Sequence, residues 1–198
     1  MKVDTISFNA VLDAWARSGD RVAPRRAEQI LTHMDELYRA GNKGVKPDRY
    51  TYNTLINVWA KSCERGSAAR AEYVLSIMEK RFREGDQDFK PNTRTYTSVI
   101  DAWAKSGEKG AARRAEQILN NMISRYEAAG DPDVKPNVHT ANAVCNVSRC
   151  WKADLLFSQI LKLILHLSLT LLYRHVHFLR TTRTVKKLYK LHFAFLIG

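Results

Sequence analysis

Apolar residues recur along the first two thirds of the chain in two alternating helical patterns. In one, Phe8, Val11, Leu12 and Trp15 stand at i, i+3, i+4 and i+7. Tyr52, Leu55, Ile56 and Trp59, then Tyr96, Val99, Ile100 and Trp103, repeat that spacing at intervals of 44 residues. The spacing gathers the apolar side chains into one stripe along a helix. Asp4, Asp48 and Asn92 stand just before these helices as N-caps, with Pro47 and Pro91 preceding the last two. The other pattern runs through Ala27, Ile30, Leu31, Met34, Leu37 and Tyr38. It returns as Ala71, Val74, Leu75, Met78 and Phe82, and as Ala115, Ile118, Leu119, Met122 and Tyr126. Pro24 lies near the start of its first copy, where a missing N–H does no harm. Turns around Ser18-Gly19-Asp20, Ser62-Cys63-Glu64 and Ser106-Gly107-Glu108 join the two patterns. Polar loops closing on Lys46-Pro47-Asp48, Lys90-Pro91-Asn92 and Lys135-Pro136-Asn137 end each unit.

A fixed period of this size is the signature of a solenoid built from one repeated hairpin. The predicted fold is therefore all-α, an α-solenoid of stacked helical hairpins. A single hairpin cannot bury both its faces, and about three stacked units are the usual minimum for a stable core. The units span about residues 5–48, 49–92 and 93–137, and a partial fourth covers 138–147, opening with Val138, His139, Thr140 and Ala141. The expected organisation is a repeat array over 1–147 followed by a tail over 148–198. Trp15, Trp59 and Trp103 are read as core.

Charge and cysteine content narrow the partners. The formal net charge is +12, but residues 143–198 supply +8 of it and the repeats only +4. A basic balance suits an anionic partner, and here most of it belongs to the tail. Three cysteines, Cys63, Cys145 and Cys150, make no disulfide framework and fit a reducing compartment. No signal or transit segment precedes the first unit, so an organellar protein would need a targeting segment this chain does not carry.

The polar positions carry the functional signal. Each tryptophan-bearing helix has a polar residue one step past its first aromatic, Asn9, Asn53 and Thr97, and Asn142 takes the corresponding place in the fourth unit. Asn and Thr are mediocre helix formers, and the capping roles fall to Asp4, Asp48 and Asn92, so neither propensity nor capping selects them. The closing residues Asp48, Asn92 and Asn137 vary only between Asp and Asn, an exchange of a pure acceptor for a donor and acceptor. Such side chains suit the hydrogen-bonding edge of a base.

Three recurring strings define the unit: aromatic-Asn/Thr-x-Leu/Val-Ile/Leu-x-x-Trp-Ala-Lys/Arg, Ala-Glu-x-x-Leu-x-x-Met, and Lys-Pro-Asp/Asn. The unit resembles the pentatricopeptide repeat, whose arrays form a right-handed superhelix and bind single-stranded RNA at one base per repeat. The resemblance covers about residues 4–147. These units, at 44, 44 and 45 residues, are longer than is usual in that family. Most of the excess lies in the loop before the proline. The expectation is that such insertions sit on the solenoid edge and leave the tryptophan-bearing helices untouched.

The resemblance implies that base recognition uses Asn9 with Asp48, Asn53 with Asn92, and Thr97 with Asn137, with Asn142 opening the next site. The implied order, from the RNA 5′ end, is uracil, then cytosine or uracil, then adenine. It also implies base stacking by Ile6, Tyr50, Arg94 and His139, of which Ile6 matches the family's small aliphatic habit; aromatic rings and guanidinium planes stack on bases as well. Phosphate contact falls to Arg17, Lys61 and Lys105, which a helix C-terminus also favours. Arg26, Arg70 and Arg114, opening the second helix of each unit, read as a solvated face.

Beyond residue 147 the pattern breaks. A nearly unbroken apolar run, Leu155 to Tyr173, is long enough for a bilayer span, but Lys162 sits in its middle. Two readings of the tail stand side by side: read-through past a splice site, and a membrane-associated anchor. The chain is not expected to be an enzyme and calls for no cofactor. It lacks His-x-Glu with Cys-x-x-Cys, so the zinc deaminase chemistry of some family members is absent, and His139, Cys145 and Cys150 do not have zinc-ligand spacing. The function expected is sequence-selective binding of single-stranded RNA, as part of a longer array. In this family that implies RNA processing, stability, editing or translation in a mitochondrion or plastid, together with other RNA-processing proteins. The alternative is a protein-binding scaffold like a tetratricopeptide array, tethered to a membrane if the tail is an anchor.

Overall fold

Local hydrogen bonds start and stop each helix of the computed structural model, which describes residues 4–62 and 64–150. Asp4 is extended (φ −124°, ψ 175°) and accepts from the Ser7 N–H at 2.9 Å, opening α1 (Thr5–Ser18). Pro24 occupies the first turn of α2 (Ala23–Arg39). Asp48 accepts from the Thr51 N–H to open α3 (Arg49–Ser62), which is followed by α4 (Ser67–Arg83). Asn92 and Thr95 form a reciprocal capping box at α5 (Thr93–Ser106), and Gly107 closes that helix at φ 61°. A Cβ at Gly107 would meet nothing within 4 Å, so the demand for glycine is conformational, not steric. The hairpin continues as α6 (Ala111–Ala129), and α7 (Val138–Cys150) opens the fourth unit. The two helices of each unit and the turns between them fall where the hydrophobic spacing places them. Cys63 and the apolar run from Leu155 to Tyr173 lie outside the described residues.

The helices stack as an α-solenoid. Within each unit the first helix packs on the second, and α1, α3, α5 and α7 also pack on one another in a row. The second helix of each unit packs in turn on the first helix of the next. α3 is thus covered on several sides and buries Thr51, Tyr52, Thr54, Leu55, Ile56, Val58, Trp59 and Ala60. α1 carries the same pattern but has no preceding unit against it, and it buries only Asn9, Leu12 and Ala16. The tryptophans divide accordingly. Trp59 and Trp103 are buried core, whereas Trp15 is half-buried and lines a surface hollow with Phe8, Ile30 and His33.

Polar groups bridge successive units inside this apolar frame. The buried Tyr96 hydroxyl donates to Glu79 of the preceding unit at 2.6 Å, and Arg125 of its own unit donates to both. Tyr52 lies in the equivalent place, beside the Arg81–Asp35 pair (3.7 Å). Burial pushes its phenol up to about 12. Among the second helices, Arg70 pairs with Glu28 at 2.9 Å and Arg114 approaches Glu72 at 3.7 Å. Arg70 and Arg114 remain more than half exposed and also link successive units, because stacking brings the preceding helix within reach. Glu72 of the second unit also accepts from the indole N–H of Trp103 in the third at 2.9 Å. The indole N–H of Trp59 finds no partner among the described residues, its equivalent carboxylate being taken by Arg70.

The long loops depart most from expectation. The sequence predicts polar insertions at the solenoid edge, but each loop folds into a short 3₁₀ turn, Lys43–Val45, Gln87–Phe89 and Pro132–Val134. The last residue of each turn, Val45, Phe89 or Val134, is fully or almost fully buried. Phe89 packs edge-on against Tyr52 at 5.1 Å and lies under the Arg81 guanidinium at 4.5 Å. The lysines that follow the first two turns reach forward. Lys46 Nζ meets Asp86 and Asp88 of the next loop at 3.1 and 2.7 Å, and Lys90 Nζ meets Asp131 and Asp133 at 2.9 and 3.0 Å. Thr93 donates to the Asp133 and Lys135 carbonyls, tying the loop back to its own unit. A lone apolar residue in a polar loop gives no periodic signal, which is why the spacing analysis missed these anchors.

Hydrogen bonds donated to Asp131 and Asp133 raise the Lys90 ammonium above its usual 10.5. Burial alone would raise the Asp131 carboxyl, but hydrogen bonds from Lys90 and the Asp133 N–H outweigh it and hold the group below 3.8. The clasp therefore contributes fully between those two values. It is lost as pH falls through the lowered Asp131 pKa, or rises through the raised Lys90 pKa. Lys90→Met should destabilise the protein by on the order of 1 kcal/mol at neutral pH, with the difference from wild type vanishing at both extremes in unfolding midpoints measured across pH. Phe89→Ala should cost about 3–5 kcal/mol by urea denaturation, as for a core aromatic; a loss below about 1 kcal/mol would return the loop to a peripheral role.

Candidate nucleic-acid interface

Steps of three and four residues keep side chains on one face of a helix. On α1 that face carries Ile6, Asn9, Asp13 and Arg17; on α3, Tyr50, Asn53, Asn57 and Lys61; on α5, Arg94, Thr97, Asp101 and Lys105; and on α7, His139 and Asn142. The expected stacking, base-reading and cationic positions thus share one stripe per helix, and row packing sets these stripes side by side.

Ile6, Tyr50, Arg94 and His139 are exposed, Ile6 at 76% and Tyr50 at 47%. The Tyr50 hydroxyl donates to Asp13 on the preceding helix, which lays its ring across the gap between units. That hydrogen bond, aided by partial desolvation and the Asp13 charge, raises the phenol above its usual 10.0.

Asn9 is buried, Asn53 and Thr97 are half-buried, and Asn142 is exposed. None of the first three caps its own helix. Each is instead bonded to a threonine of the next unit: Thr51 Oγ1 to Asn9 Oδ1 at 2.8 Å, Thr95 Oγ1 to Asn53 Oδ1 at 2.7 Å, and Thr140 Oγ1 to Thr97 Oγ1 at 2.9 Å. The same threonines bond the closing residues. Thr51 Oγ1 lies 3.0 Å from Asp48 Oδ1, Thr95 Oγ1 3.0 Å from Asn92 Oδ1, and Thr140 Oγ1 3.3 Å from Asn137 Oδ1. Asp48, Asn92 and Asn137 are also N-caps, accepting from the backbone N–H of those threonines. Side chains about one unit apart in sequence thus converge on a single hydroxyl, three times over.

The cations differ in how free they are. Arg17 is 80% exposed and stands 3.9 Å from Asp13, while Lys105 bonds Asp101 at 2.6 Å. Pairs of this i, i+4 kind on a surface are worth only tenths of a kcal/mol, so both cations are lightly held. Lys61 is more engaged, donating to the Ala16 carbonyl in the last turn of α1 at 3.2 Å. Among the described residues no group of His, Cys, Asp and Glu is arranged to hold a metal ion, and no helix is long and apolar enough to cross a membrane.

A family model for the pentatricopeptide repeat domain matches residues 1–62 and, overlapping them, 37–81. Residues 1–81, which hold the first hairpin and most of the second, are thus similar to pentatricopeptide repeats. No curated protein matches the chain. Pentatricopeptide proteins are helical-repeat proteins that typically bind RNA, are commonly organellar, and are in general not enzymes.

The residues that sequence reasoning passed over are Thr51, Thr95 and Thr140. A signal existed: each stands three residues after Asp48, Asn92 or Asn137, as Ser7 stands after Asp4. That spacing announces a cap. It says nothing of the second bond, to the preceding unit. Asp13, on the same helix face as Asn9, likewise gains a role only through stacking, where it accepts from the Tyr50 hydroxyl. The Tyr50 phenol, followed as the ultraviolet ionisation difference between each protein and its Tyr50→Phe counterpart, should titrate above 10.0 and fall back toward that value in Asp13→Ala.

Proposed function

We propose that the array binds single-stranded RNA sequence-selectively along the row α1, α3, α5 and α7, one base per unit. In this reading Asn9 with Asp48, Asn53 with Asn92, and Thr97 with Asn137 read three successive bases, and Asn142 begins a fourth site. Tyr50, Arg94, His139 and Ile6 stack on the bases, while Arg17, Lys61 and Lys105 meet phosphates. The observation that carries the reading is the convergence of each pair on one threonine hydroxyl, with distances of 2.7–3.3 Å. Two polar side chains from the ends of a unit then act as one recognition surface, which a merely structural solenoid does not require. The similarity of residues 1–81 to a typically RNA-binding family supports the same reading. The place of action, on this reading, is a mitochondrion or plastid, in the processing, stability, editing or translation of transcripts.

The preferred order is uracil, cytosine or uracil, then adenine. Thr97→Asn should move the third preference from adenine toward a pyrimidine and leave the first two unchanged, as measured by fluorescence anisotropy with short RNAs differing at one base. Affinity should fall with salt at a logarithmic slope of about −0.7 per phosphate neutralised. Absence of binding at low salt, or a third preference indifferent to Thr97→Asn, would overturn the reading.

A further inference from the structure

We propose that Thr51, Thr95 and Thr140 are positioning residues for base recognition: each hydroxyl orients the reading side chain of the preceding unit and couples it to the closing residue. The inference rests on the RNA-binding reading above and adds the group that sets which polar atom each reader shows to a base.

The hydrogen-bond inventory makes the case. A threonine hydroxyl has one proton to donate and two lone pairs. In the second unit the Thr95 oxygen accepts from the Asn92 N–H at 3.0 Å. Asn92 Oδ1 already receives the Thr95 N–H at 3.1 Å. The shorter contact of the hydroxyl is to Asn53 Oδ1, at 2.7 Å. With its proton placed there, the Asn53 carbonyl faces into the solenoid and its NH₂ faces out. Among the described residues nothing accepts from the Asn53 NH₂. The reader therefore offers a donor, which matches the acceptor N3 of cytosine and opposes the N3–H of uracil.

An asparagine amide has no such preference by itself. Turned over, it offers an acceptor in nearly the same place, so a reader free to turn discriminates poorly. The threonine hydroxyl removes that freedom before RNA arrives, which is the gain of preorganisation.

The first and third units apply the same device to different partners. In the first, the closing residue is Asp48, whose carboxylate lies 3.0 Å from the Thr51 hydroxyl and competes for its proton with Asn9 at 2.8 Å. A carboxylate is the stronger acceptor. When it takes the proton, the Asn9 NH₂ turns inward onto the hydroxyl oxygen, and its carbonyl faces out toward the N3–H of uracil. The choice between Asp and Asn at the end of a unit is thereby relayed through threonine to the reader. In the third unit Thr140 meets the Thr97 hydroxyl at 2.9 Å, where either oxygen is able to donate, so Thr97 retains both capacities.

The test uses the full-length protein with Thr95→Val, which keeps the branched shape and removes the hydroxyl, and Thr95→Ser, which restores it. Binding is measured to RNAs varied at each of three positions, beside the side-chain amide order of Asn53 by NMR relaxation. In Thr95→Val, discrimination at the second base should fall at least about fivefold, the lower end of what one base contact provides. First- and third-base preferences should persist, and the Asn53 amide should become mobile. Thr95→Ser should restore both. Asn92→Asp should shift the second preference toward uracil in the wild-type background and not in Thr95→Val.

Unchanged second-base discrimination in a folded Thr95→Val, or discrimination lost equally at all three bases, overturns the inference while leaving RNA binding in place. If wild type binds no RNA, the RNA reading fails separately. The NMR arm then decides the positioning role, and an Asn53 amide that stays ordered in Thr95→Val overturns it. Should the valine variant fail to fold, Thr95→Ser and Thr95→Cys replace it. A graded loss of Asn53 order from Thr to Ser to Cys supports the role, and equal order in all three overturns it.

Discussion

Each hairpin in this protein is completed by its neighbour. α1 and α3 have the same length and nearly the same apolar pattern, yet α3 buries most of its stripe and α1 only three residues. The difference is the presence of a preceding unit. Burial of apolar area is the main favourable term in folding, so the stability of a unit is shared across its boundaries. Trp59 and Trp103 lie within such a boundary, and Trp15 lies at an open one. All the polar links between units depend on that apolar contact, because only stacking brings their partners within bonding distance.

Away from the exposed stripe those links gather mainly at three places. At the loops, Lys46 and Lys90 reach forward to paired aspartates. Along the second helices, Arg70 and Arg114 reach back to Glu28 and Glu72. Between them, Tyr96 joins Glu79 and Arg125 beneath the apolar layer. These contacts occupy part of the basic charge of the repeats. Beside the exposed stripe, the cations at the ends of α1 and α5 are held only by surface pairs within their own helices.

The candidate site draws on the same boundaries. A closing residue that also caps a helix meets the proposed base-reading position at one hydroxyl, so in the proposed function helix initiation and recognition share their atoms. Partners inside such a network support one another, and loss of one member is felt by the rest. This is also where sequence reasoning fell short. Asp48, Asn92 and Asn137 were legible as caps and as closing residues, and Asn9, Asn53 and Thr97 as positions chosen for something other than propensity. The threonine between them was invisible in that role, because each bond joins residues about 42 positions apart.

By itself the sequence determined the helices, their caps, the turn glycines at Gly19 and Gly107, the 44-residue unit and the polar stripe of its first helix. These follow from periodicity and local hydrogen bonding, which act within a turn or two of the chain. Tertiary structure decided which tryptophans are covered, that Val45, Phe89 and Val134 anchor the long loops, where the lysines and arginines find their partners, and which hydroxyl holds each reader. Those outcomes depend on distances between units, and such distances exist only once the hairpins have stacked.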